Sequence, residues 1–189
     1  MKSSPNSLLV LASLAASLGL PPGSATAQER DTYRYEDSQL VVRLTPRSPS
    51  QVAAFYEARK FPDPMIDLLR EQCFITVGVR NKGPEIIWLD LNQWRIEGQG
   101  GEVTRRTRPW LNERWEEMGA PMASRSTLRW TLLPELLDLR PDEAEGGNIV
   151  LARQDDPFGI EARFNVGAER SGDAIVVRFS GVSCAQDAP

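Results

Sequence analysis

The chain has 189 residues, with 22 basic and 26 acidic side chains, a net charge of −4, no histidine and two cysteines. This acidity argues against nucleic acid or an anionic membrane surface as the main partner. Without imidazole, the Ser-His-Asp and Cys-His nucleophile systems fall away, as do most catalytic zinc, copper and non-haem iron sites, so no cofactor, metal site or catalytic residue is expected.

Residues 1–27 read as a cleavable secretory signal peptide, with Lys2 at the start, an apolar run over 8–20 and Ala25-Thr26-Ala27 as the small-x-small cleavage site. The run is shorter than the roughly 20 residues of a spanning helix, and Pro21-Pro22-Gly23 ends it. The mature chain then begins near Gln28, with no membrane insertion after cleavage. The expected address is the bacterial periplasm, with the extracellular medium as the alternative. Residues 28–189 are expected to form one β-sandwich domain with an ordered core at about 33–184. In an oxidising compartment Cys73 and Cys184 read as a disulfide, the one intramolecular pairing two cysteines permit. An intermolecular bridge or two free thiols are the alternatives.

In chain order, residues 40–44 give the first strand, possible company coming from 33–35. Ser48-Pro49-Ser50-Gln51 fits a helix capping box, followed by Val52, Phe55 and Tyr56 on one helical face. Asp63-Pro64 restarts a second short helix with Met65, Ile66 and Leu69 as its apolar stripe. From Cys73 the period becomes two, and Cys73, Ile75, Val77 and Val79 share the apolar face of a strand. A turn at 81–84 leads to a strand over 86–91, apolar on both faces. Gly98-Gln99-Gly100-Gly101 then turns a hairpin; a strand rather than a helix follows it, so it is no phosphate loop.

The segment after Pro109 reads as a helix with Trp110, Leu111, Trp115 and Met118 on one side, stopped by Gly119 and Pro121. Residues 127–133 alternate as a strand with Leu128, Trp130 and Leu132 inward. Further strands are expected at 149–151, 158–166 and 174–182, the last delivering Cys184. Seven to nine short strands and few helices predict a mainly β chain: an antiparallel β-sandwich with two or three short helical insertions and a single disulfide.

The run from Cys73 to Cys184 resembles the immunoglobulin-like β-sandwich domains of small exported bacterial proteins. The likeness rests on the strand over 74–81 with its turn and following strand, the hairpin around 98–101, and the late strand pair at 158–166 and 174–179. The antibody-type Cys–Trp–Cys spacing is absent. The resemblance implies a fold and no activity, because such sandwiches host adhesion, chaperone, inhibitor and ligand-binding roles.

Arginine outnumbers lysine 19 to 3. Arg105, Arg106 and Arg108 fall together beside Trp110, with Arg114 one helical turn on, a pattern that could form a fork for a carboxylate, phosphate or sulfated group with tryptophan as a stacking surface. The alternative is positive charge that protects an edge strand. Trp94, Trp110 and Trp115 lie near element ends and are the candidates for a surface role, whereas Trp88 and Trp130 lie within strand patterns and read as core. Paired carboxylates at Asp142, Glu143 and Glu145 or at Asp155-Asp156 leave one enzymatic route. The leading expectation is a non-enzymatic domain that binds another envelope protein; a carbohydrate- or anion-binding module and a carboxylate-dependent hydrolase are the alternatives.

Overall fold

The computed structural model describes residues 32–188. The expected leader and the cleavage site before Gln28 lie outside the described residues. Two antiparallel sheets form. The first has the order β1 (Tyr33–Glu36), β2 (Leu40–Arg47), β3 (Gln72–Asn81) and β8 (Ala144–Ala152). The second is built on β9 (Phe158–Val166), with β10 (Gly172–Val182) along one side. On its other side two shorter strands sit end to end. β5 (Arg95–Gly98) pairs with the start of β9, and β4 (Ile87–Asp90) pairs with its end. A 3-10 turn at Leu91–Gln93 joins those two, while β6 (Gly101–Glu102) and β7 (Leu136–Leu139) flank them.

The inner faces follow from the period-two pattern. Leu40, Val42 and Leu44 of β2 and Cys73, Ile75, Val77 and Val79 of β3 meet Leu89, Ile96, Ile160, Ala162, Phe164 and Val177 in one buried core. Each large side chain buried there contributes about 1.5–3 kcal/mol relative to exposure. The expected disulfide is present: Cys73 opens β3, Cys184 follows β10, and their Cα atoms are 5.3 Å apart. It ties the first sheet to the last strand of the second.

Four helices cover one end of the outer face of the first sheet. They are α1 (Pro49–Glu57), α2 (Asp63–Arg70), α3 (Arg108–Glu117) and α4 (Met122–Thr131). Phe74 and Val150, neighbours across β3 and β8, join Val52, Tyr56, Met65, Leu69, Leu111, Trp115 and Leu128 in a second core. The capping box at Ser48 forms as read, and Asp187 adds a further acceptor for the Ser50 amide at 2.8 Å. No helix among the described residues is long and apolar enough to cross a membrane.

One expectation fails here. Residues 127–131 are helical, continuing α4, and not part of a strand. Leu128 and Leu132 stand two apart from Trp130 but four apart from each other, so the same letters fit both periods. In the helix Ser124 and Leu128 turn inward, and Trp130, expected in the core, is 86% exposed. The short strand β7 was not expected, although Leu137 and Leu139 alternate with Asp138 between two prolines.

Candidate functional site

The α3–α4 pair is positioned by its two ends, because both are zipped to the free edge of β8. On the way in, the Arg106 amide donates to the Val150 carbonyl at 2.7 Å, and the Ala152 amide donates to Thr104 at 2.8 Å. On the way out, the Leu133 amide donates to Asn148 at 3.0 Å. Thr107 caps α3 by accepting from the Trp110 amide, and Gly119, at φ 61°, turns the chain toward α4. A further pin lies between helices: the Tyr56 and Thr131 hydroxyls are 2.8 Å apart. Burial pushes the Tyr56 phenol up to about 12, and the Thr131 contact works against that rise.

Where the helices face each other a cavity of about 150 Å³ remains. From α3 it is lined by Arg108, Leu111, Asn112 and Trp115; from α4 by Arg125, Leu128 and Arg129, with Leu132 just beyond. Both sets follow the i, i+3, i+4, i+7 spacing of a single helix face. The electrostatics are one-sided. Arg125 pairs with the exposed Glu116 at 2.7 Å, and no carboxylate among the described residues pairs with Arg108 or Arg129. Two donors of these lining residues, Arg108 Nε and Trp115 Nε1, are buried with no acceptor in the described residues. A buried donor left unmet costs about 1–3 kcal/mol, and adjacent guanidinium groups repel. A small oxyanion in the cavity would offset the guanidinium charges with charge-assisted hydrogen bonds.

The expected arginine–tryptophan cluster is therefore divided. Arg108 and Trp115 belong to this cavity. Arg106 stacks over Trp110, 4.5 Å from the ring centroid, and donates to Gln72 at 3.0 Å. Arg114 lies over the same ring at 5.9 Å and pairs with Glu117. Arg105 turns the other way, to Glu135 at 2.6 Å and Asn92 at 3.1 Å. Two surface candidates are corrected. Trp115 is 1% exposed because it lies on the inward stripe of α3, and Trp94 is 8% exposed because it packs edge-on against Phe164. Arg125 and Arg129 were missed by the sequence reading. Their four-residue spacing beside Leu128 and Leu132 was the available signal.

The acidic runs do not converge. Asp142 and Glu143 precede β8, Glu145 is its second residue and Asp155-Asp156 follow it, which leaves at least seven strand residues between the two runs, roughly 20 Å or more. A glycosidase pair needs about 5–10 Å. Glu143 closes a turn by accepting from the Arg140 amide, and Glu145, within β8, accepts from the neighbouring Gly146 amide.

No protein-family model matches the chain, and no curated protein matches it. Among solved structures it is similar to the ycdA protein of Bacillus subtilis, assigned as a lipoprotein, at 13% identity and a TM-score of 0.38. That alignment covers 78% of this chain and 38% of the other, so this chain spans well under half of that neighbour's length.

Proposed function

We propose that this protein is a non-enzymatic binding domain whose ligand presents a small oxyanion (phosphate, sulfate or carboxylate) to the cavity between α3 and α4. One observation carries the reading: three arginines line a single cavity, while one carboxylate serves them. The volume of about 150 Å³ suits one tetrahedral anion or the charged head of a larger molecule. The signal-peptide pattern and the disulfide both support export to an oxidising compartment such as the periplasm.

Isothermal titration of the folded chain with sodium phosphate at constant ionic strength tests this. Saturable 1:1 binding is expected, lost in Arg108→Ala or Arg129→Ala and kept in Arg163→Ala on the exposed side of β9. Equal heats for all four proteins reject the site.

A second reading, a partner protein that offers its own carboxylate or phosphate, is favoured by α4 itself. The helix that carries Arg125 and Arg129 also exposes Met122 (70%) and Trp130 (86%), and such side chains are frequent anchors of interfaces. Crosslinking in the native envelope from a residue beside Trp130 tests it; recovery of no partner above background counts against it.

A further inference from the structure

A second cavity lies on the opposite side of the chain segment that enters α3, at the mouth of the sandwich between the two sheets. It measures about 360 Å³, within the usual range for small-molecule sites. Ile96 of β5 and Ile149 of β8 contribute apolar wall from opposite sheets, and Trp94, Asn92, Arg105 and Glu102 supply the polar groups. Trp94 is 8% exposed and its Nε1 has no acceptor among the described residues, a buried donor that a ligand in the cleft reaches once the side chains around it shift slightly.

The chemistry differs from that of the arginine cavity in one decisive respect. Here the single guanidinium is already neutralised, because Arg105 pairs with Glu135 at 2.6 Å and donates to Asn92 Oδ1 at 3.1 Å. That second contact turns the Asn92 carbonyl to the arginine and leaves the Asn92 amide hydrogens for another acceptor. Glu102, exposed on β6, adds a carboxylate acceptor at the rim. A bare anion gains nothing from such a wall. A ring with apolar C–H faces and alternating donors and acceptors uses all of it: acceptors for the Trp94 and Asn92 N–H groups, a hydroxyl for Glu102, and C–H surface against Ile96 and Ile149.

We propose that the cleft between Trp94, Asn92, Arg105 and Glu102 is a binding site for a neutral saccharide unit, separate from the oxyanion cavity. N-acetylglucosamine is the probe of choice, since its acetamido group sets a carbonyl acceptor beside a methyl group. The site does not depend on the oxyanion reading, and the two can fail separately.

The test follows the five tryptophan indole N–H resonances of the intact oxidised chain during titration with N-acetylglucosamine. The Trp94 resonance is expected to move saturably while that of Trp115 stays still. Trp94→Phe, which keeps the aromatic contact with Phe164, should weaken binding at least tenfold, a loss of about 1.4 kcal/mol. Asn92→Ala, an exposed change, should weaken it several-fold, and Arg108→Ala should leave it unchanged. A static Trp94 resonance at the highest soluble sugar concentration overturns the proposal. So does a Trp94 shift produced by phosphate and not by the sugar, or undiminished affinity in both Trp94→Phe and Asn92→Ala.

Discussion

Asn81 and Trp115 are both buried polar side chains, and they were treated in opposite ways. Asn81, at the end of β3, is fully enclosed and fully used. Its amide donates to the Glu85 and Leu139 carbonyls at 2.7 and 2.9 Å, and its oxygen accepts from the Gly83 amide at 2.9 Å. Trp115, in the helical layer, is enclosed as thoroughly, yet its indole N–H meets no acceptor among the described residues, and Arg108 beside it shares that condition. Buried polar groups in folded chains are normally satisfied. Asn81 therefore serves the fold, whereas the α3–α4 pair, like Trp94 in the sandwich core, holds polar capacity that the fold itself does not consume.

Removing the staple is the largest perturbation that should separate these two regions. Cys73→Ser with Cys184→Ser opens a loop of 111 residues and should lower unfolding free energy by about 2–5 kcal/mol. Phosphate affinity, measured where the variant is still folded, should be unchanged. A parallel loss of affinity would mean that the helical cavity depends on the sandwich more closely than proposed.

Next in size is a change at the joint between the regions. A Cβ on Gly147 would stand 2.5 Å from the Leu133 amide nitrogen, on the backbone that leads out of α4. Gly147→Ala should cost about 1–3 kcal/mol by overpacking and should also weaken phosphate binding, because the exit of α4 must shift. Chemical denaturation and titration read both effects.

A smaller effect concerns the pin between helices. The folded chain holds the Tyr56 phenol at about 12 against an ordinary value of 10.0, so it favours the protonated form. The corresponding stability is complete below pH 10 and is lost as pH rises through 12. Tyr56→Phe should flatten that alkaline stretch of the stability profile and cost about 1 kcal/mol at neutral pH through the lost hydroxyl pair. Smallest of all is Gly78→Ala, on the uncovered part of the same sheet face. A Cβ there meets nothing within 4 Å, and stability should stay within about 0.5 kcal/mol.

The sequence carried the sandwich better than the site. Alternation from Cys73 to Val79, the strand at Phe158–Val166 and the capping box at Ser48 are local signals, and each is realised where it was read. The disulfide followed from compartment and cysteine count together. The site was obscured for two physical reasons. Leu128, Trp130 and Leu132 satisfy both a strand and a helix period, and choosing the strand hid the face that brings Arg125 and Arg129 to Arg108. The second reason is distance along the chain. Arg105 finds Glu135 thirty residues away, and Trp94 finds Phe164 across the second sheet, so nearness in sequence said little about which arginines and tryptophans share a surface.

The most direct test of the central claim is the indole N–H spectrum of the folded chain during titration with phosphate against a chloride control. The oxyanion cavity predicts a saturable shift of the Trp115 resonance, absent with chloride and abolished by Arg108→Ala, while the Trp94 resonance does not follow it. A Trp115 resonance that stays fixed, or that moves equally with chloride, contradicts the claim.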